Sequence, residues 1–325
     1  ADALGRSAEG MHHLQIACDL AHAAGDTAIL YQSLCNLAFA RRAEGQCAAA
    51  HAVAEQALAL TAYHPGSAPH PAFADALREM GEANAYLGRW EAARSQLRPL
   101  LELYRTLDDP WAYGTVLYNY GLYSSNIGQH EEAISCLRQL VALSESVGLP
   151  ADSEYGIWHR AGLVRVLVAA GDLAEAGVLL HSLQPVMLTS GRPYLARAKA
   201  LAEYHLAIDS AATALASLEP AVRWWREHAS PHDVDILLLL AQVALAINRH
   251  ELAVAAVDEA ATHLVPTDMH RYHLRLHIIR YLVSYSPADL AAAHRELMRQ
   301  AALFSDAELR RAFVERVALH RQIAG

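Results

Sequence analysis

The stretch PAFADALREMGEANAYLGRWEAARSQLRPLLELYRTLDD, residues 71–109, decides the fold. It reads as two helices joined by a glycine turn. Phe73, Leu77, Met80 and Gly81 mark one helical face, and Gly88 ends that helix through its free access to left-handed backbone geometry. A second helix then runs from about Trp90 to Leu107. Ala93 is small because the two helices cross there, and a larger side chain would force their axes beyond the usual ~8–10 Å. Leu97 and Leu100 fill the seam. The same register extends in both directions. The turn residue recurs at Gly5, Gly45, Gly88, Gly128 and Gly171, then as Asp209 and Asn248, at intervals of 38 to 43 residues. Five residues beyond each turn stands a small residue: Gly10, Ala50, Ala93, Ala133, Ala176, Ala214 and Ala253. Four further on comes Leu14, Ala54, Leu97, Leu137, Leu180, Leu218 or Val257. Pro110, Pro150, Pro193 and Pro231 each fall 17 residues after the small residue of their own repeat, where a helix must end for want of an amide donor. Such repetition means a stacked solenoid, in which each hairpin leaves one face bare until its neighbour covers it.

Composition agrees. Of the 325 residues 54% are hydrophobic and only 19% charged, and valine and isoleucine rarely run together, so nothing reads as a strand and an all-α protein is expected. The longest apolar run, Ile236 to Ile247, is interrupted by Gln242 and falls short of the ~20 residues of a membrane span, so it reads as a buried helix. Cys18, Cys35, Cys47 and Cys136 lie at irregular spacings without a Cys-x-x-Cys, which suits reduced packing cysteines and, with no secretory signal at the start, a cytoplasmic location. The net charge of −9 argues against a general nucleic-acid binder. The balance is uneven, with 17 Lys+Arg against 29 Asp+Glu over residues 1–265 and 9 against 6 over 266–325. Lys199 is the only lysine.

The pattern resembles the tetratricopeptide repeat, whose marks are a Leu-Gly pair, a turn glycine, a small residue and a terminal proline. Met80-Gly81, Tyr120-Gly121 and Leu37-Ala38 stand at the pair. The family's period is ~34 residues, and here the repeats average about 40, adding roughly one turn to the second helix. Long repeats of this sort resemble those of the maltose-regulator type, the C-terminal sensor arm of bacterial STAND/AAA signalling ATPases that include transcription activators. The resemblance implies a right-handed α-solenoid of about seven hairpins with a binding role, and an ATPase or DNA-binding domain upstream in the parent chain. Ser305-Asp306-Ala307-Glu308 forms a capping box. Residues 305–325 are therefore expected to be a capping helix behind a 1–304 array. Within that array Leu4-Gly5-Arg6 has the register of a turn, leaving the first hairpin truncated, and the last hairpin, Met269 to Phe304, is degenerate.

No enzyme signature is present. Lys199 has no Gly-x-x-x-x-Gly before it, His-Glu-x-x-His is missing, and no nucleophile elbow frames a serine. No cofactor is expected. His270, His273 and His277 fall on one side of a helix and are the best metal candidates. Arg271, Arg275 and Arg280 on the same helix would repel a cation, which favours a solvated or partner-facing face. The arginine-rich segment 271–321 offers an alternative function, contact with nucleic acid. Among the clustered aromatics Trp111, Tyr113, Tyr118, Tyr120 and Tyr123, the seven-residue spacing puts Tyr113 and Tyr120 in the core and points Tyr118 elsewhere. Trp224 and Trp225 continue a seam, so one of them should wedge between repeats. The first helices of such arrays line the concave face. That rule selects Phe39, Arg42, Arg78, Glu82, Tyr86, Thr115, Tyr118, Asn119, Trp158, Arg165, Lys199 and Glu203 as a groove for a peptide, protein segment or small effector. A carboxylate clamp like that of chaperone-tail repeats is not expected, because Cys35, Phe39 and Glu79 occupy its positions. The function expected is a non-enzymatic sensing or scaffold module.

Overall fold

The computed structural model describes residues 2–64, 70–183, 190–228 and 233–324, with side chains from Glu9 onward. Among the described residues all regular structure is helical. A lone helix α1 (Asp2–Ala24) precedes seven antiparallel pairs. They are α2 (Thr27–Ala43) with α3 (Cys47–Ala59), α4 (Pro71–Tyr86) with α5 (Trp90–Thr106), α6 (Pro110–Asn126) with α7 (His130–Ser146), and α8 (Glu154–Ala170) with α9 (Leu173–His181). Then come α10 (Gly191–Ala207) with α11 (Ala211–His228), α12 (Asp235–Ala246) with α13 (His250–Leu264), and α14 (His270–Ser284) with α15 (Pro287–Ala301). Two short helices, α16 (Ala307–Glu315) and α17 (Ala318–Ala324), follow. No described helix is long and apolar enough to cross a membrane.

The crossing expected at Ala93 is present. A Cβ on Gly81 would lie 2.9 Å from Leu97 Cδ2 and 3.3 Å from the Ala93 carbonyl oxygen, and Gly121 meets Leu137 and Ala133 in the same way. Leu97, Leu137 and Leu218 are fully buried along the seams, each stabilising the stack by about 1.5–3 kcal/mol. Ile236 to Leu240 are buried in α12, and all four cysteines are buried and free. Trp225 is the wedge, edge-on to His263, while Trp224 stacks on His228. The prolines act chiefly as starters: Pro110 opens α6 and Pro193 lies in the first turn of α10, where a missing amide costs nothing. Pro231 lies outside the described residues, as do Pro65 and Gly66 of the 64–71 connector.

Two expectations are corrected. The chain does not turn at Gly5, because α1 continues through it to Ala24. A Cβ on Gly10 would meet nothing within 4 Å, so no helix crossing requires a small residue there. The first turn is instead at Gly25, followed by Asp26, whose carboxylate accepts the Ile29 amide and caps α2. The tail is two helices rather than one, and Asp306, not Ser305, caps α16 by accepting the Glu308 and Leu309 amides. Ser305 is taken by Glu91, which accepts both its amide and its hydroxyl at 2.6 Å.

That contact belongs to a closure. Each first helix touches the next along the array, and α14 also touches α4, so the superhelix meets itself after one turn. The hairpin turns of the first three pairs seat on the C-terminal part of the chain. At Gly45 a Cβ would lie 2.6 Å from Thr267, at Gly88 2.7 Å from Gln300, and at Gly128 2.6 Å from Arg316, whereas Gly171 faces open space. The α3 N-terminus has no cap of its own. Asp268 supplies one from a distance, accepting the Cys47 and Ala48 amides at 2.6 and 2.7 Å while its own amide donates to Gly45 O. Gln300 accepts from the Trp90 indole at 3.2 Å.

Candidate functional site

The inner wall is made by α2, α4, α6, α8, α10, α12 and α14, and most of the groove residues expected from sequence lie on it. They divide into two kinds of place. Arg42 is buried and donates from Nε and Nη2 to Glu79 at 3.2 and 3.1 Å, with Glu82 at 2.8 Å. Burial opposes its charge, yet the carboxylates of Glu82 and Glu79 outweigh that and raise its pKa. Arg78 meets Glu79 at 3.0 Å, and Asn119 donates to Glu82 at 3.0 Å. Tyr86 lies beneath the Arg271 guanidinium, 3.9 Å from ring centre to Cζ. A second cluster joins Arg165 to Glu203 through two bonds of 2.8 and 2.9 Å, and Lys199 to Asp233 and Asp235 at 3.2 and 3.0 Å. Burial pushes the Asp235 carboxyl up, but Lys199, Arg165 and Arg275 together bring it below the usual carboxylate range. The carboxylates of both clusters pair with cations of the same cluster, while the buried Nε atoms of Arg271 and Arg275 beside them have no hydrogen-bond partner among the described residues. Phe39 stands half-exposed with Arg42 over its ring at 5.2 Å.

Glu79, Asp233 and Asp235 were not selected from sequence, although a signal exists. Partners lie close to one repeat apart: 37 residues for Arg42 to Glu79, 38 for Arg165 to Glu203 and 36 for Lys199 to Asp235. A search for opposite charge at the repeat spacing would have found them.

Thr115, Tyr118, Asn119 and Trp158 converge elsewhere. With Trp111, Tyr155 and His159 they line a cleft between α6 and α8, floored by Leu140, Leu143 and Ser144 of α7, with about 540 Å³ including the space open to solvent. Tyr118, expected to point away from the core, is instead buried against Trp158 with ring centres 4.7 Å apart, while Tyr113, expected in the core, is only partly buried; Trp111 meets Tyr155 edge-on at 5.4 Å. At the rim Trp111 is 58% exposed and Tyr155 48%. Tyr285 and Phe39 are exposed elsewhere, but here two exposed rings meet over the mouth of one hollow. Several polar groups of the lining are bonded within the protein. Thr115 Oγ1 donates to Trp111 O, Asn119 to Glu82, and the Ser144 hydroxyl donates to Leu140 O while lying 2.7 Å from His159 Nδ1. Burial and the adjacent Arg160 lower the His159 pKa to about 4, so the ring is neutral near pH 7. The cleft thus presents ring faces and no charge. Trp111, Tyr155 and His159 complete the site, and the dense aromatic run at 111–123 was the part of it legible in sequence. A second hollow, bounded by Leu206, Gln242, Tyr285 and Leu319 among others, gathers none of the expected residues.

The alternative sites do not assemble. His270 and His273 have ring centres 5.6 Å apart, but His273 Nε2 is bonded to Leu264 O and His270 lies 3.9 Å from Glu296. Among the described residues no group of three His, Cys, Asp or Glu is placed to hold a metal ion. Of the nine arginines in the 271–321 segment, five serve internal contacts: Arg271 on Tyr86 and Tyr272, Arg275 on Gln242, Arg299 on Glu296, Arg310 on Phe304 O and Arg311 on Glu308.

Stacked hairpins with small-residue crossings, a glycine turn and an inner wall of first helices define a solenoid of the tetratricopeptide type. Residues 72–146, spanning α4 to α7, match the family described as Tetratricopeptide repeat. No curated protein matches the chain. Among solved structures, NprR in complex with its cognate peptide NprX is 14% identical with a TM-score of 0.62, covering 96% of this chain and 94% of that one. A Rap protein complexed with Competence and Sporulation Factor is 12% identical with a TM-score of 0.59, covering 99% and 97%. The nearly identical TPR-like repeats of a Podosopora anserina putative kinesin light chain are 21% identical over 61% of this chain and 96% of that one, with a TM-score of 0.48. The likenesses to NprR and to the Rap protein show the fold.

Proposed function

We propose that this chain is a non-enzymatic recognition module that binds a protein segment in the aromatic cleft between α6 and α8. One observation carries the proposal: Trp111 and Tyr155 stand open to solvent over a ring-lined hollow that carries no Asp, Glu, Lys or Arg side chain. Tyrosine and tryptophan give large contact area at small entropic cost, as binding hot spots require. Two chains of similar fold were solved with an occupant, NprR with its cognate peptide NprX and Rap with Competence and Sporulation Factor, which supports a segment as the occupant. In the setting favoured by the long repeats, the module is the regulatory arm of a larger cytoplasmic signalling or transcription-regulating ATPase. The self-paired charges of the inner wall make it a rigid support rather than a second contact surface.

The test is selection of peptides from a phage-displayed library on the full chain, with counter-selection on Trp158→Ala shown by circular dichroism to be folded. Peptides that lose tenfold or more in affinity for the variant are expected. A library that yields no binders discriminating between the two proteins would sink the proposal.

A further inference from the structure

The cleft's chemistry points to the kind of segment it takes, an inference that rests on the binding role just proposed. Its interior offers no counter-charge. Thr115, Asn119 and Ser144 are bonded within the protein, His159 is neutral, and no acid or base lines the walls. An anion entering would be stripped of water without a partner, a cation would have only ring faces to meet it, and an apolar or aromatic side chain gives up no hydration of a charge by entering. The inserted group is therefore an apolar or aromatic side chain.

The approach to the cleft has the opposite character. Its mouth is built from the first turns of α6 and α8. Asp108 and Asp109 precede Pro110 and Trp111, and Asp152 and Glu154, on either side of Ser153, precede Tyr155. All four are exposed, and among the described residues none is paired with a cation, although Asp109 accepts the Ala112 amide as the cap of α6; by contrast Glu102, Glu132, Glu145 and Glu175 hold Arg105, Arg94, Arg160 and Arg138. The excess of acid over residues 1–265 has the same sign, 29 against 17. Unpaired carboxylates around an uncharged hollow attract a cation to the rim and repel an anion.

We infer that the cleft binds a segment in which a large apolar or aromatic residue is flanked by arginine or lysine. The aromatic side chain fills the hollow, and the flanking cations meet Asp108, Asp152 and Glu154 outside it. Specificity then comes from two separable parts: ring contact for the central residue, and charge for its neighbours.

The experiment uses the full chain labelled with 5-fluorotryptophan, whose five tryptophans give separate fluorine signals. Trp111→Phe and Trp158→Phe assign the two signals of the cleft. Three blocked peptides are titrated: Gly-Arg-Phe-Arg-Gly, Gly-Arg-Ala-Arg-Gly and Gly-Glu-Phe-Glu-Gly. The Arg-Phe-Arg peptide is expected to move the Trp111 and Trp158 signals and leave Trp224 and Trp225 unmoved. The Arg-Ala-Arg and Glu-Phe-Glu peptides are each expected to bind at least tenfold more weakly, and Asp152→Asn with Glu154→Gln to narrow the gap between the two Phe peptides. Equal binding of both Phe peptides at the same two signals would overturn the charge inference and leave the cleft as a binding site. Equal binding of Arg-Phe-Arg and Arg-Ala-Arg would overturn the ring-filling half. Absence of any shift at Trp111 and Trp158 with all three peptides would remove both the inference and the proposed function.

Discussion

Replacing Asp268 by alanine tests whether the closure of the superhelix acts as one unit. The carboxylate accepts two short bonds from the Cys47 and Ala48 amides, at the N-terminus of a helix with no local cap. Losing an N-cap costs ~0.5–2 kcal/mol, and a bond to a charged acceptor is worth ~1.5–3 kcal/mol. A loss of about 2 kcal/mol of closure energy is thus expected, equal to roughly 30-fold in an opening equilibrium. The informative probe is not the amide that loses its partner, which would exchange faster in any case. It is the Ser305 amide, held by Glu91 in a separate part of the contact. Hydrogen exchange there should accelerate by a comparable factor in Asp268→Ala, and small-angle scattering should show a larger radius of gyration. Asp26→Ala is the control, because Asp26 caps α2 locally through Ile29 and takes no part in closure. Unchanged exchange at Ser305 together with an unchanged radius would refute cooperative closure, leaving Asp268 as a local cap only.

Two further outcomes follow from the same geometry. Gly88→Ala and Gly171→Ala both place a side chain at positive φ, +73° and +85°, at a backbone cost of ~1–2 kcal/mol. Only Gly88 is pressed against Gln300, so its substitution should lower the denaturation midpoint clearly more than that of Gly171, and equal effects would argue against docking of that turn. Stability should also fall in mild acid. Burial holds His159 and His320 at pKa values of about 4, against ~6.5 in an unfolded chain. Between these values the unfolded state binds more protons than the folded one, so stability is complete above pH ~6.5 and is lost as pH falls towards 4. Each histidine should remove about 2 kcal/mol at pH 5, and urea titrations of the wild type and His320→Gln at pH 7.5 and 5 measure it. A smaller acid loss in the variant is expected, and identical losses would contradict the assignment to His320.

What sequence revealed was the local part of the structure. Gly81, Ala93 and Leu97 announce a helix crossing because a repeat forces the same steric requirement into the same register many times over. The inner-wall positions were legible for the same reason, and Arg42, Arg165 and Lys199 do lie there. What their side chains meet was not legible from helical periodicity alone, since their partners sit one repeat away. The closure was beyond such reasoning. Asp268 and Cys47 are 221 residues apart, and their meeting depends on small rotations accumulated over every hairpin between them. Gly5 misled because a glycine at the right interval carries no information about whether the chain turns there, and α1 simply continues. The arginines after residue 270 suggested an outer patch for a related reason: composition reports charge, and only the closed superhelix brings Arg271 over Tyr86.

The ring-like contact bears on how this molecule can change over generations. Open arrays gain or drop a hairpin with little penalty, since each unit leans only on its neighbours. Here Gly45 must meet Thr267 and Gly128 must meet Arg316, so duplicating or deleting one unit between them would rotate the far end out of reach. The number of hairpins is therefore tied to the pitch of the coil, and lineages should vary in surface residues long before they vary in repeat count.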